Sequence, residues 1–130
     1  LKTKQDVLNK VKLLWKRLGA SIVILSAKKH DQILAFTSHL PHAVAFSLIA
    51  AIPGEFLNIS SGGLKDTTRI SGSDEFLWSQ IFLSNRENML AAVTCFQTKL
   101  AALKLALKKK DLKYLTKILL LAKEKRERLG

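Results

Sequence analysis

The chain has a single cysteine, Cys95, among 130 residues. No internal disulfide can form, and such thiol usage fits a reducing cytosol. On a helix, Cys95 reads as a small apolar packer. No positively charged, then apolar, then small-residue signal opens the chain. Its most apolar run, AVAFSLIAAI from Ala43 to Ile52, falls far short of the roughly 20 residues a membrane span needs. That points to a soluble protein with no membrane partner. The first residue is Leu1 rather than Met, which implies a piece of something longer. Also missing are a nucleophile–base pair, a carboxylate pair and a glycine-rich phosphate loop. The Gly62, Gly63 doublet lacks the G-x-G-x-x-G spacing. By itself the chain offers no dinucleotide site.

Acidic side chains are scarce, 10 against 22 basic ones, for a net charge of +12. Such an excess invites a nucleic-acid reading, but its distribution weakens that. Residues 1–29 carry eight basic and one acidic side chain, residues 30–98 three and six, and residues 99–130 eleven and three. The positive charge sits at the two ends, while the middle is mildly acidic. A lysine-rich helix face is ordinarily a solvated face. A basic helical module that binds nucleic acid or an acidic protein is therefore the alternative function, not the leading one.

What is present reads mainly as helix. The apolar share of 48% and charged share of 25% suit one folded domain, or one domain plus part of another. In residues 6–18, DVLNKVKLLWKRL, the residues Val7, Val11, Leu14 and Leu18 share a stripe. Asp6 can cap that helix, and Gly19 can take the left-handed turn at its end. SIVIL, Ser21 to Leu25, is rich in β-branched residues and predicts a buried strand. A helix feeding a strand is half of a βαβ unit, and its parallel neighbours are not in this sequence. Residues 1–29 are thus expected to be the tail end of an α/β domain.

From His30 to about Ile52 the pattern is helical and apolar nearly all round, so that segment must be buried on most sides. Pro41 lacks an amide hydrogen and forces a kink or restart there. Residues 53–64, PGEFLNISSGGL, predict a loop. Ser73, Asp74 and Glu75 open the next helix, and Ser84 to Glu87 form a capping-box pattern that marks a second start. Beyond it Met89, Val93, Phe96, Leu100, Leu103 and Leu107 are spaced four, three, four, three, four. That is a heptad seam made for lengthwise packing against another helix. Asp111 can cap a last helix with Leu112, Leu115, Leu119 and Ala122 on one stripe, and the short KKKD link makes a helical hairpin. The bundle carries more apolar surface than its length needs, which calls for a symmetric dimer.

Two clusters could do chemistry. HDQILAFTSHLPH, His30 to His42, holds all three histidines. His39 and His42, three apart, can face the same way. The His-x-x-x-His spacing of common zinc sites is absent and no cysteine pair assists, so no metal is expected. A polar pocket floor and satisfied core histidines are the two remaining readings. The second cluster is KDTTRISGSDEFLW, Lys65 to Trp78. Asp66 and Arg69 are spaced to pair on one turn. Arg69, backed by helix N-terminal amides at 73–75, is suited to a two-pronged bond to a carboxylate. A plain surface salt bridge is the bland alternative.

HD at 30–31, SHLPH at 38–42, DTTRI at 66–70 and SDEFLW at 73–78, in that order, resemble the C-terminal part of the prephenate/arogenate dehydrogenases of tyrosine biosynthesis. The N-R-E at 85–87 and the long helix after it fit as well. The resemblance covers nearly all the chain. It implies a mainly α fold: a helical substrate-binding and dimerisation domain over 30–130, with a long helical hairpin. Residues 1–29 would be a helix–strand remnant of a Rossmann-type nucleotide-binding domain. It implies an oxidative decarboxylation with NAD or NADP in the full-length parent and none bound by this piece, which would be inactive alone. By resemblance Arg69 would clamp a substrate carboxylate, and Asp66 would orient Arg69 or join a polar gate. His42 and His39 would meet the substrate's oxygenated side chain, Trp78 would form a wall, and His30 and Asp31 would sit at the domain junction. The partners implied are a second copy, prephenate or arogenate, and free tyrosine, in the cytoplasm.

Overall fold

The computed structural model describes residues 3–129. Among the described residues every regular element is a helix. The chain divides into two compact units, Leu1–His30 and Asp31–Gly130.

In the first unit, helix α1 spans Gln5–Arg17. Asp6 lies in its first turn, where a carboxylate complements the helix dipole, but it is not the cap. That position is Lys4, whose side chain makes no capping bond. The end is a Schellman motif: Gly19 N–H bonds Lys16 O, Ala20 N–H bonds Trp15 O, and Gly19 takes φ 81°. The strand predicted at Ser21–Leu25 does not form. No strand exists among the described residues to complete its backbone ladder, and β-branched side chains alone cannot replace one. Helix α2, Ala27–Leu34, follows. Ser26 caps it by accepting from Lys29 N–H, so the helix starts three residues before His30.

The strain expected at Pro41 is resolved upstream of it. Ala35–His39 forms a π-helical turn, in which Leu40 N–H reaches Ala35 O, five residues back. Helix α3, Leu40–Ala51, then begins with Pro41 in its first turn, where a missing N–H costs little. The helix is therefore continuous over 25 residues, Ala27–Ala51. The loop predicted at 53–64 is shorter than expected. A 3₁₀ helix fills Gly54–Ile59, and α4, Gly62–Thr68, starts inside the glycine doublet. A tight 3₁₀ turn, Arg69–Gly72, leads to α5, Glu75–Ser84. The capping residue there is Asp74 rather than Ser73, and its carboxylate accepts from Leu77 N–H at 2.6 Å. Then come α6, Arg86–Lys109, and α7, Leu112–Glu127. Lys110 in the left-handed region (φ 53°) turns the chain, and the Asp111 carboxylate caps α7 through Tyr114 N–H.

The second unit is organised around α3 and α6. The 3₁₀ turn at Arg69–Gly72, α4 and α6 pack on α3, the π turn packs on α6, and α7 folds back along α6. The buried apolar residues are small: Ala35, Ala45, Ala92 and Ala106, with Met89. Alanines let helix backbones approach closely but bury little apolar area, roughly 25 cal/mol per Å² of it being the gain. The large side chains stay outside. Along the α6 seam Met89 is buried, yet Phe96, Leu100 and Leu107 are 37%, 54% and 56% exposed. On α7 the stripe turned inward is Leu115 and Ile118, not the expected Leu112, Leu115, Leu119 and Ala122. Leu112 and Leu119 are exposed. By length and composition both Ala27–Ala51 and α6 could cross a membrane, unlike the short apolar run read from sequence. Exposed apolar surface on this scale calls for a covering partner.

Candidate functional site

The π turn sets the site. It ends on His39, with His42 following in the first turn of α3, and both rings reach the same tryptophan on α5. The His42 ring stacks on Trp78, centroids 3.4 Å apart and planes 19° from parallel. His39 meets Trp78 edge-on at 6.2 Å and 78°. Phe82, one turn further along α5, tilts against Trp78 at 5.6 Å. His42 Nδ1 lies 3.0 Å from Ser38 O. A carbonyl can only accept, so Nδ1 carries the hydrogen and Nε2 makes no bond among the described residues. Ring contacts of this kind contribute about 0.5–1.5 kcal/mol beyond area burial.

His39 is buried and tied to the start of α6. Asn85 Nδ2 lies 2.8 Å from Asp31 O and 3.3 Å from His39 Nδ1, while Asn85 Oδ1 accepts from Asn88 Nδ2 at 2.7 Å. This explains why the capping box at Ser84–Glu87 does not form. Asn85 stands at the helix start with its side chain engaged elsewhere, Ser84 Oγ bonds Ile81 O, and Glu87 pairs with Arg86. Asn85 and Asn88 were not among the predicted site residues. The only signal for Asn85 was the N-R-E stretch, because its partners Asp31 and His39 are distant in sequence.

The Arg69 turn differs from expectation. Asp66 and Arg69 form no ion pair, and Arg69 makes no hydrogen bond among the described residues. Both side chains are exposed, where three-apart spacing permits an ion pair without holding one in place. The hydroxyls nearby bond their own backbone, Thr68 to Leu64 O, Ser71 to Thr68 O and Ser73 to Ile70 O. At the start of α5 the Ser73 N–H bonds Ile70 O and the Leu77 N–H bonds the Asp74 carboxylate. Arg69 is exposed, on a turn that packs against the helix carrying His42. His30 ends the first unit and Asp31 opens the second. Among the described residues no three metal-ligating side chains gather.

Two cavities flank α3. One, about 250 Å³, is lined by Ala43, Phe46, Ser47, Glu75, Trp78, Ser79 and Phe82. The other, about 520 Å³, is an apolar groove between α3 and α6 that includes Leu40, Val44, Leu48, Val93, Phe96 and Leu100. Arg69 lines neither.

A helical unit with open apolar helix faces is built as an association domain. Residues 26–121 match the family described as the prephenate dehydrogenase dimerization domain. Over 108 residues the chain is 35% identical to the cyclohexadienyl dehydrogenase of Zymomonas mobilis, a match covering 78% of this chain and 37% of that protein. Over 104 residues it is 34% identical to the prephenate dehydrogenase of Lactococcus lactis, covering 75% and 29%. The fold superposes on prephenate dehydrogenase from Aquifex aeolicus, solved with hydroxyphenyl propionate and NAD+, with TM-score 0.87 and 36% identity over 99% of this chain and 47% of that one. Arogenate dehydrogenase from Synechocystis gives 0.85 and 25%, over 98% and 49%. The chain belongs to the prephenate dehydrogenase dimerization-domain family. It spans 37% and 29% of the two sequence relatives and just under half of the two structures.

Proposed function

We propose that this chain is the substrate-binding and dimerisation portion of an NAD(P)-dependent prephenate or arogenate dehydrogenase, a cytoplasmic enzyme of tyrosine biosynthesis. The whole protein's reaction would be oxidative decarboxylation. The ring carbon bearing the hydroxyl loses hydride, the ring carboxylate leaves as carbon dioxide, and the ring becomes a phenol. From prephenate the product is 4-hydroxyphenylpyruvate. The described residues do not fit a dinucleotide cradle, because Gly62 and Gly63 open α4 with no strand before them. The oxidant, NAD or NADP, is therefore assigned to other parts of the protein.

This chain's task is binding and electrostatics. Arg69, exposed and unpaired among the described residues, would clamp a substrate carboxylate. His42, through Nε2, and His39 would meet oxygens of the substrate side chain, with Trp78 as the wall behind them. Asp66 would contribute to a polar gate at the cleft. Its expected role as an orienter of Arg69 is withdrawn, since the two do not pair. His30 and Asp31 would lie at the domain junction. Free tyrosine, a phenol with an amino-acid tail, is a candidate ligand of the same pocket. A second copy of the chain would cover the apolar faces of α3 and α6.

The observation that carries this reading is the stack of Trp78 on His42 of α3, the same helix against which the turn bearing exposed Arg69 packs. The test is NAD(P)H formation by the full-length protein with prephenate and with arogenate. Turnover of either supports the assignment, and turnover of neither overturns it. The dimer is tested by sedimentation of Leu100→Glu, which is expected to shift a dimer towards monomer. An unchanged dimer would move the interface off the seam.

A further inference from the structure

Asn85 stands at the join of α5 and α6, and the substrate roles above make no use of it. Its amide has one permitted orientation. The nitrogen lies 2.8 Å from the Asp31 carbonyl, which can only accept, so the atom there must be the NH2. On the other side the amide oxygen accepts from Asn88 at 2.7 Å. Flipping the amide would put oxygen against oxygen at Asp31 and nitrogen against nitrogen at Asn88.

The same NH2 has a second hydrogen, and His39 Nδ1 is 3.3 Å away. The contact is long, and its weight lies in what it forbids. A hydrogen on Nδ1 would point at another N–H. Nδ1 must therefore be the bare nitrogen of the ring, and a neutral His39 carries its hydrogen on Nε2. His39 is only 7% exposed, and the edge-on Trp78 confines the ring, so water cannot readily take over the contact.

We propose that Asn85 is a positioning residue that fixes the tautomer of His39, so that His39 serves the substrate site as a donor through Nε2. The functional half of this rests on the proposed dehydrogenase site; the tautomer itself does not. The pair of neighbouring histidines would then differ by design of their surroundings. His42 holds its hydrogen on Nδ1 against Ser38 O, and His39 holds its own on Nε2.

The test is a long-range proton–nitrogen correlation spectrum of the full-length protein carrying ¹⁵N-histidine, at a pH of about 8.5, where an ordinary histidine is neutral. In the unmodified protein His39 Nδ1 should show a pyridine-like shift and Nε2 a pyrrole-like one. In Asn85→Ala the two should move towards averaged values, and kcat/KM should fall about tenfold, the worth of one oriented hydrogen bond. Asn85→Asp sets a carboxylate against the Asp31 carbonyl and can unfold the protein, so the alanine variant decides. A pyrrole-like Nδ1 in the unmodified protein, or an unchanged tautomer in Asn85→Ala, overturns the assignment. A lost tautomer with unchanged kcat/KM overturns the positioning role. If the protein turns over neither substrate, the dehydrogenase reading fails while the spectrum still decides the tautomer.

Discussion

The histidine cluster and the arginine turn are both polar, and both lie against α3, but they are held in opposite ways. At the first, polar atoms are tied to the chain: Asn85 serves Asp31 O and His39, Asn88 serves Asn85, and Ser38 O serves His42. At the second, the hydroxyls bond their own backbone and the guanidinium is exposed, with no partner among the described residues. A buried polar group left unsatisfied costs about 1–3 kcal/mol, whereas an exposed arginine keeps its water and waits for a better anion at little cost. The difference separates residues tied into the fold from one left at the surface. It also makes the two regions respond differently to mutation.

The largest effect should come from the arginine. Arg69→Ala in the full-length enzyme should raise the KM for prephenate by about 10- to 100-fold, the worth of a charge-assisted bond, while leaving the thermal midpoint in place. A lowered midpoint with unchanged KM would mean that Arg69 is a structural residue after all. Asn85→Ala should show the reverse emphasis and lower stability by about 1–3 kcal/mol in urea unfolding, because buried His39 and the Asp31 carbonyl lose a donor. No change in the urea midpoint would break the contrast. Smaller still is the stack. A double-mutant cycle of His42→Ala and Trp78→Ala should return a coupling of about 0.5–1.5 kcal/mol in unfolding free energy, and additive effects would mean the rings merely lie near each other. Least of all, Asp66→Asn should shift stability by under about 0.5 kcal/mol, since no ion pair is lost. A larger loss would expose a partner for Asp66.

What could be read from sequence was set by short-range chemistry. Gly19 ends α1 in the left-handed turn, Asp111 caps α7, and the helical hairpin follows from the KKKD link. The three-apart spacing of His39 and His42 allows both to face the same way, and both meet Trp78. What could not be read depends on contacts between distant residues. Asn85 lies 54 residues from Asp31 and 46 from His39, so the capping-box pattern around it gave no hint that its side chain is engaged elsewhere. The π turn is another case. Pro41 announces trouble, but where the chain absorbs it is decided by packing of Ala35 and His39 against α6. SIVIL shows the limit of propensity, because a strand exists only with a neighbour to bond. The Asp66–Arg69 spacing shows a subtler limit, since spacing permits an ion pair between exposed side chains but does not enforce one.

The account stands on the histidine rings and the guanidinium attending one ligand. The most direct measurement is a titration of hydroxyphenyl propionate into the NAD+-loaded full-length protein, following the ring signals of His39 and His42 and the side-chain signal of Arg69 together. All three should move along one binding curve with a single Kd. Movement of the histidines while Arg69 stays still, or two curves with different midpoints, would contradict it.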